Sequence, residues 1–546
     1  MRRILVLAGV VAATLALPAT AGAARVAVGV AKGAKQAVVA RSIQQRTGTR
    51  PESLEPIPAF VVDVPLGVSL RGIRGVRYVE PLVTRHLAFT PTDPLAPKQW
   101  YLPYSGFYSP WVTLPSFEPI PVAVIDSGVD AGHPDLAGKI LGAKSFVGGS
   151  ARVDTFGHGT FVAGLIGAGL DNGIGIAGLA PSSELLIAKV VTKSRSIPVD
   201  AEAQAIRWAV DNGARVINMS LGGVRDPLDP ERDTYSRLEA DAVAYAVSNG
   251  VVVVAAVGNS DQAPVSPWKY ASYPAALPHV LGVSAMSATG GIPTFSNRDL
   301  IYNDLAAPGL EILSILPRPL TARFPQCTEQ GYSSCGPEEY REAQGTSFAA
   351  PQVTAAAAVL LSLRPTLQPD QVSRILQSTA LDLSAANGCA ACAEGRDAYS
   401  GSGRLNVAAA IAALDELLPP RDFYEANDDL GARAYPVPGT NRRLRARVDF
   451  WDDQDDVYAI RLNRNQPVYV GLTGADPNVD LSLAFWLPRA TSLERVADFR
   501  YRVRTSARSG SRQYLSYRPR LSGTYYIQVR MSSPGSTRYR LAIVKG

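Results

Sequence analysis

The stretch Val122-Ala-Val-Ile-Asp126-Ser-Gly128 decides the fold, because it joins an apolar run to a carboxylate at its end. Further apolar runs follow along the chain, and helical patterns lie between them: the runs are Leu185–Val191, Val216–Met219 and Val251–Ala256, and the helical patterns are Asp200–Asn212 and Leu238–Asn249. This alternation predicts an α/β fold with a parallel sheet that is covered by helices on both faces. Asp126 then lies at the carboxyl edge of the sheet, where such folds place their sites.

Composition limits the class of protein. The chain has 546 residues, of which 46% are hydrophobic and 19% are charged, so it resembles ordinary globular proteins and has room for several domains. The formal net charge of +6 is small for this length, and we expect no nucleic-acid partner.

The N-terminus indicates the compartment. Arg2 and Arg3 precede an apolar run from Ile4 to Leu17, and small residues follow up to Ala23. This order is typical of a secretory signal over residues 1–23, and the run is short for a membrane span. We therefore predict a secreted, extracellular protein of bacterial type without a stable membrane anchor. An uncleaved anchor is the alternative.

The four cysteines fit an oxidising destination. Three pairings are open, and proximity in sequence favours Cys327–Cys335 and Cys389–Cys392. A C-x-x-C pair can also serve redox or zinc chemistry, but no His or second C-x-x-C lies near Cys389. A structural disulfide loop is the preferred interpretation.

Patterning divides the rest of the chain into three domains. Residues 24–89 form a small alternating unit with strand-like runs at Phe60–Val64 and Val76–Val79. Residues 95–418 carry the strand–helix alternation. Residues 421–546 have short β-rich runs and no long helical pattern, which predicts a β-sandwich. Leu418-Pro419-Pro420 is the predicted linker.

Two further motifs can carry chemistry. In Gly157-His158-Gly159-Thr160, glycines flank one of only four histidines, and a neutral imidazole can accept a proton near neutral pH. In Gly345-Thr346-Ser347, the serine precedes an Ala-rich helical run, and we expect Pro351 to fall in the first turn of that helix. Ser347 then stands at a helix N-terminus, where backbone N–H groups and the dipole favour negative charge. Alone, these residues could equally be a structural histidine and an N-cap.

The three motifs together resemble the subtilases, the peptidase S8 family of subtilisin-like serine peptidases, over about residues 97–415. The chain order Asp, His, Ser is that of the family. The resemblance implies that Ser347 is the nucleophile, that His158 is the general base and that Asp126 orients His158. It also implies that Asn259 is the oxyanion-hole donor. No organic cofactor is expected.

The resemblance extends to the substrate cleft. It implies that substrate is bound by Ser220, Leu221, Gly222, Ala256, Gly258 and Ser272. Glycines at 222 and 223 are expected to leave the mouth of the S1 pocket open, and an apolar P1 residue is expected. The resemblance therefore implies broad action on protein and peptide substrates. A processing protease of narrow specificity is the alternative.

A calcium site is expected by the same resemblance. Its ligands would be Asp135, Leu170, Asn172, Ile174 and Ile176, and oxygen ligation of this kind suits Ca²⁺. The alternative is the same loop folded without metal.

The flanking segments also resemble known domains. Residues 24–89 resemble an inhibitory propeptide that assists folding and is removed by a cut between Leu87 and Asp93. The tail resembles the pre-peptidase C-terminal domain of secreted bacterial enzymes, and it could be cleaved off or could bind a polymer. Its acidic stretch Asp449–Asp456 is expected to be a solvated loop, with a calcium site as the alternative. We expect a monomer. The rivals to an active peptidase are an inactive subtilase that serves as a binding protein, and an adhesion protein that acts through the tail.

Overall fold

The computed structural model describes residues 24–65, 68–82, 89–323, 339–415, 423–451, 453–533 and 535–546. The chain divides into two compact units, Met1–Leu87 and Ala88–Gly546. The predicted signal at residues 1–23, the predicted cut after Leu87, the Cys327–Cys335 pair and the predicted linker at Leu418 all lie partly or wholly outside the described residues.

The first unit is a small α+β fold, as predicted. Its elements are β1 (Ala24–Val30), α1 (Gln36–Thr47), β2 (Glu52–Ser53), β3 (Ala59–Val64) and β4 (Val76–Pro81). The strands form one antiparallel sheet in the order β2-β3-β1-β4. Val28 and Ile43, from the sheet and the helix, are fully buried in its core.

The second unit begins with the α/β part. Its elements are α2 (Tyr101–Tyr104), β5 (Ile120–Asp126), β6 (Ile140–Ser145), α3 (His158–Gly167), β7 (Ser183–Lys189), α4 (Val199–Asp211), β8 (Val216–Met219), α5 (Arg237–Ser248), β9 (Val252–Ala256), β10 (Val280–Met286), β11 (Leu305–Pro308), β12 (Ile312–Ile315), α6 (Arg318–Arg323), β13 (Tyr340–Ala343), α7 (Thr346–Leu363), α8 (Pro369–Ser378) and α9 (Val407–Ala412).

Seven parallel strands form the central sheet, in the order β11-β10-β9-β8-β5-β7-β6. Helices α3 and α7 pack in the core on one face, and α4 and α5 pack in the core on the other. The predicted α/β class is confirmed, and the four predicted strands and the two helices α4 and α5 match the observed elements to within about two residues. Asp126 is the last residue of β5, at the carboxyl edge of the sheet.

Helix α7 is the central helix, and it corrects one prediction. It begins at Thr346, so Pro351 lies inside the helix, beyond the first turn in which it was expected. Gly345 has φ of 147°, a backbone conformation that favours glycine, and this lets the chain turn into the helix directly before Thr346. Of the described helices, α7 alone has the length and apolarity of a membrane span, and 89% of it is buried inside the protein.

The C-terminal part is a β-sandwich, as predicted. Its strands are β14 (Tyr435–Pro436), β15 (Asn441–Asp449), β16 (Asp455–Leu462), β17 (Val468–Gly474), β18 (Leu481–Trp486), β19 (Arg502–Ser506), β20 (Arg512–Tyr517), β21 (Gly523–Met531) and β22 (Ser536–Lys545). They form two sheets, β14-β16-β21-β18-β19 and β15-β22-β17-β20. Buried side chains from both sheets, such as Ile527 and Leu541, share one core.

The acidic stretch at Asp449–Asp456 is not a solvated loop, so that prediction was wrong. Asp456 is fully buried and accepts hydrogen bonds from Asn427 and Tyr539. Asp455 pairs with Arg530 at 3.0 Å. Each of these buried carboxylates thus has polar partners inside the protein, which offset the cost of burying its charge.

One predicted disulfide lies in the described part of the chain. Cys389 and Cys392 are bonded to each other and are buried beside Met286 and Leu383. The C-x-x-C pair is therefore a structural loop.

Candidate active site

Asp126 and His158 meet at the carboxyl edge of the sheet. Asp126 ends β5, is 2% exposed, and holds one oxygen toward the Ser127 N–H at 2.7 Å. His158 is the first residue of α3, and its Nδ1 lies 2.9 Å from both carboxylate oxygens of Asp126. A carboxylate can only accept, so Nδ1 carries the proton and Nε2 is left as the basic nitrogen.

Charge and burial act against each other on His158. Burial alone lowers the pKa of the imidazole, but the Asp126 carboxylate opposes this by charge and by hydrogen bonding, and the net effect raises the pKa above its ordinary value. The ring lies between two aromatic side chains. Phe156 stacks on it at a centroid distance of 6.2 Å, and Phe348 contacts it at 5.4 Å.

Phe161 is one layer further in. It is fully buried, and its ring lies 4.5 Å from that of Phe348. Phe161 thus supports the aromatic ring that contacts His158.

Asp154 anchors the segment that leads into His158, and the sequence analysis did not single it out. One of its oxygens accepts from the Ser127 hydroxyl at 2.9 Å and from the N–H groups of Phe156 and Gly157 at 3.0 and 2.8 Å. The other accepts from the N–H and the hydroxyl of Thr160. This buried carboxylate ties the segment before α3, the first turn of α3 and the end of β5 together.

Ser347 lies in the first turn of α7. Its backbone N–H is therefore free of the helix ladder. Its hydroxyl donates to the carbonyl oxygen of Ser220 at 3.3 Å, and the Ser220 hydroxyl donates back to the carbonyl oxygen of Ser347 at 2.7 Å. Pro351 explains the second bond, because it has no N–H to donate to the carbonyl four residues earlier, which is that of Ser347.

Asn259 follows β9, and its side chain is held by Thr346. The Oδ1 atom accepts from the N–H of Thr346 at 3.1 Å and from its hydroxyl at 3.0 Å. Because Oδ1 is occupied in this way, the Nδ2 group is the part of the amide that remains to donate. Asn259 and Ser347 are thereby tied to the same turn.

One cavity of about 240 Å³ brings these side chains together. The four predicted catalytic residues and the six predicted substrate residues all line it: Asp126, His158, Ser347, Asn259, Ser220, Leu221, Gly222, Ala256, Gly258 and Ser272. Sequence reasoning left out other lining residues, namely Phe156, Val191, Arg195, Ile197, Asp261 and Thr346.

At positions 222 and 223, close packing within the cavity wall requires glycine. A Cβ on Gly222 would lie 2.5 Å from the Tyr273 carbonyl oxygen, and one on Gly223 would lie 2.2 Å from the Thr234 hydroxyl. The Gly223 and Tyr273 backbones exchange two hydrogen bonds of 2.9 Å. These glycines allow two segments of the cavity wall to approach each other closely.

Two of the residues expected to hold calcium, Asp135 and Ile176, are hydrogen-bonded to each other in the structure. Asp135 is 1% exposed, its Oδ2 accepts from the Ile176 N–H, and its Oδ1 accepts no hydrogen bond from the described residues. Burial raises its pKa to about 6. The Asn172 side-chain oxygen faces the N–H of Ile174 at 2.8 Å.

Asp93 is a second carboxylate at this loop, which sequence reasoning missed as a ligand candidate. It is 1% exposed and accepts from the N–H groups of Asp171 and Asn172 at 2.8 and 3.1 Å. Within the described residues, the carbonyl oxygens of Leu170, Ile174 and Ile176 accept no hydrogen bonds.

The β-sandwich contacts the wall of the cavity through Tyr273, the neighbour of Ser272. The Tyr273 hydroxyl donates to the Glu494 carbonyl oxygen at 3.1 Å, and the Glu494 carboxylate is bonded to the hydroxyl of Tyr302. Other polar contacts join the two parts: Arg433 with Asp241 at 2.8 Å, Arg374 with Asp449 at 2.8 Å and His279 with Asp428 at 3.1 Å.

Comparisons with known proteins identify the family of the chain. The sequence profile of the subtilase family, peptidase S8, matches residues 119–408. Subtilisin DY of Bacillus licheniformis is 37% identical over 292 residues, which cover 53% of this chain and 90% of the relative. A subtilisin of Bacillus pumilus is 37% identical over 293 residues, with coverages of 53% and 90%. A solved protease structure from Pseudoalteromonas arctica covers 60% of this chain and 100% of its own, at 29% identity and a TM-score of 0.48. The chain belongs to the subtilase family of serine endopeptidases.

Proposed function

We propose that this protein is a secreted endopeptidase that hydrolyses proteins through Asp126, His158 and Ser347. The observation that carries the proposal is the single cavity that these three residues share with Asn259 and the predicted cleft residues. Membership of the family alone would also fit an inactive homologue. In this chain, however, Asp126, His158, Ser347 and Asn259 are all present.

The reaction follows from the roles of these groups. His158 Nε2 takes the proton of the Ser347 hydroxyl as Oγ attacks the scissile carbonyl carbon, and it then gives that proton to the leaving amine. Asp126 keeps Nδ1 protonated and stabilises the imidazolium. Water, deprotonated by His158, then hydrolyses the acyl-enzyme and restores the Ser347 hydroxyl.

The developing oxyanion needs donors that are already in place. Thr346 fixes Asn259 through Oδ1, so Nδ2 can donate, and the free N–H of Ser347 supplies the second bond. Loss of one such donor lowers turnover by roughly 10²–10³-fold in a well-studied subtilisin, and we expect the same order here.

Substrate is proposed to bind as an added strand against the segments at Ser220–Gly222 and Ala256–Gly258. Backbone pairing of this kind is tolerant of sequence, which favours broad action on unfolded proteins. Small residues at Ala256, Gly258 and Ser272 leave room for an apolar P1 side chain. A narrow processing protease remains the second candidate.

The test is casein hydrolysis by the processed protein and by Ser347→Ala. We expect wild type to degrade casein, Ser347→Ala to have no measurable activity, and a control at the exposed Ser248, Ser248→Ala, to match wild type. Equal activity of Ser347→Ala and wild type, or an inactive wild type after correct processing, would contradict the proposal and favour a binding protein.

A structural Ca²⁺ is proposed at the loop 170–176. The buried Asp135 oxygen and the carbonyl oxygens of Leu170, Ile174 and Ile176 are hard ligands without partners, and Asn172 and Asp93 adjoin them, so the donor set fits the ion. The ion would bind only the folded loop and so stabilise the native state.

Thermal melting with and without a chelator tests this site. We expect chelation to lower the Tm of wild type and to leave the Tm of Asp135→Asn unchanged. The half-buried Asp229, which lies outside this loop, provides the control, and Asp229→Asn should respond to chelation as wild type does. A wild-type Tm that chelation does not move would contradict a structural ion.

The flanking domains complete the proposal. Residues 1–23 would direct secretion, and residues 24–89 would fold as an intramolecular inhibitor until they are cut away between Leu87 and Asp93. The 95–418 domain would then act as a monomer. The 421–546 sandwich is proposed to remain attached, because it shares partly buried ion pairs with the peptidase part.

A further inference from the structure

The loop between β7 and α4 carries a charged side chain in the cavity that no catalytic step uses. This loop is tightly folded: the N–H of Thr192 donates to the carbonyl of Ser196 at 2.9 Å, and the N–H of Arg195 donates to the carbonyl of Thr192 at 3.0 Å. The Thr192 hydroxyl also bonds to the hydroxyls of Ser194 and Ser196. Arg195 has φ of 63°, which is unusual for an arginine and is supported by these bonds.

This turn presents the Arg195 side chain to the active site. Arg195 lines the same cavity as His158 and Ser347. Its guanidinium lies 4.8 Å from the centroid of the Phe156 ring, and Phe156 in turn stacks on His158. A cation over an aromatic face is attracted to it, so Phe156 helps to fix the position of the charge.

The charge of Arg195 is not neutralised. The guanidinium makes no ion pair with any residue in the part of the chain that the structure describes. Two carboxylates also line the cavity. Asp126 is buried and faces His158, and Asp261 is exposed and belongs to the wall that follows β9. Of the residues that line the cavity on this side, namely Phe156, Val191, Arg195 and Ile197, only Arg195 carries a charge, and it is positive.

We propose that Arg195 selects substrates with an acidic side chain at one position beside the catalytic centre. The proposal rests on the peptidase function above and deepens it. The guanidinium can bind a carboxylate in a two-pronged geometry, while the Phe156 ring packs against the apolar stem of a Glu side chain. Side chains alternate along an extended substrate, so one position faces this wall and its immediate neighbours do not.

Fluorogenic peptides test the preference. One Glu is moved through the positions on both sides of the scissile bond, and each Glu peptide is paired with its neutral Gln counterpart. We expect the ratio of kcat/KM for Glu over Gln to reach about two- to fivefold at one position, as for an exposed ion pair, and to fall toward one at high salt. Arg195→Glu should invert the preference at that same position, so that a Lys peptide exceeds the Gln peptide.

Lys193 supplies the matched control. It is exposed in the same loop but does not line the cavity, so Lys193→Ala changes the net charge of the loop without touching the wall. We expect its Glu-to-Gln ratios to equal those of wild type. A change of ratio in Lys193→Ala as large as that in Arg195→Glu would overturn the proposal, since it would show a general charge effect.

The failures of the two proposals are distinguishable. If wild type hydrolyses the Gln peptides but its Glu-to-Gln ratios equal those of Arg195→Glu at every position, only the selectivity is overturned. If wild type hydrolyses neither peptides nor casein, the peptidase function fails and the selectivity falls with it.

Discussion

At the scale of single residues, the site depends on side chains that never touch substrate. The five hydrogen bonds that Asp154 accepts fix the segment before His158, and its negative charge also raises the pKa of His158. Asp154 is therefore a positioning residue with an electrostatic effect on the base. An ordinary structural anchor would affect stability alone.

Asp154→Asn separates these roles. An amide nitrogen cannot accept hydrogen bonds, so we expect a loss of about 1–3 kcal/mol in the free energy of unfolding. Removing the charge lowers the pKa of His158, and since His158 must be neutral to act as a base, the acid limb of the kcat/KM profile should move to lower pH. Asp200→Asn at the exposed start of α4 is the control and should leave the limb in place. An unmoved limb in Asp154→Asn would leave Asp154 with a structural role only.

Sequence reasoning reached the catalytic candidates but not this support. Asp126, His158 and Ser347 stand in short motifs that can be recognised from the sequence without knowledge of their contacts in the fold. Asp154 carries no comparable local signal, because three of its donors belong to Ser127 and Thr160, which fold against it from other elements. Asp93 was missed at the calcium loop for the same reason, since it meets Asn172 only in the folded chain.

At the scale of elements, the junction of α7 with the loop after β8 holds the nucleophile. Pro351 leaves the Ser347 carbonyl without its helical donor, and the Ser220 hydroxyl takes that place at 2.7 Å. Ser220 is itself held by the Asn218 side chain, which Thr354 of α7 binds in turn. The hydrogen bond that is missing in α7 is thus replaced by one from Ser220, and this bond fixes the segment after β8 that lines the cleft.

A double-mutant cycle tests this coupling, in a Ser347→Ala background that prevents self-digestion and keeps the carbonyl of residue 347. We expect Ser220→Ala alone to cost about 1 kcal/mol in the free energy of unfolding, because the carbonyl loses its partner. In a Pro351→Ala background the helix supplies an N–H, so the same change should cost less. The exposed Pro264 is the control: in a Pro264→Ala background, Ser220→Ala should again cost about 1 kcal/mol in the free energy of unfolding. Equal costs in all backgrounds would show that Pro351 and Ser220 are independent.

Helices and strands could be predicted where a single pattern of apolar residues in the sequence determines them. Apolar runs and helical periodicity located the central strands and helices of the sheet. The first turn of α7 was placed too late, at Pro351, because only the Ala-rich run suggested a helix, whereas the φ of Gly345 and the bonds of Thr346 to Asn259 start the helix at Thr346.

At the scale of the whole molecule, the β-sandwich is part of the peptidase rather than an appendage. Its Glu494 reaches Tyr273 at the cavity wall, and ion pairs such as Arg433–Asp241 surround this contact. The patterns of the sequence showed a separate β-rich domain, but they could not show this docking. Periodicity reports which face of an element is buried and not what buries it.

Glu494→Gln tests the docking through pH. Burial raises the pKa of Glu494 from 4.5 to about 7, so the native state holds this proton more tightly than the unfolded chain does. Its stabilising contribution is therefore full below about pH 4.5 and is lost as the pH rises through 7. The neutral amide should remove this loss, so the Tm should fall less between pH 5 and pH 8 than in wild type. The exposed Glu231→Gln should behave as wild type, and an unchanged pH response in Glu494→Gln would contradict the buried proton.

The place of β22 in the sandwich has a consequence for the order of synthesis. This strand ends at Lys545 and pairs with both β15 and β17, so it is an inner strand of its sheet. The central sheet of the peptidase part is already complete at Pro308. A growing chain therefore contains every strand of the central sheet before the ribosome has made β22, which pairs with both β15 and β17. We therefore expect the contact of Glu494 with Tyr273 to form later in synthesis than the central sheet.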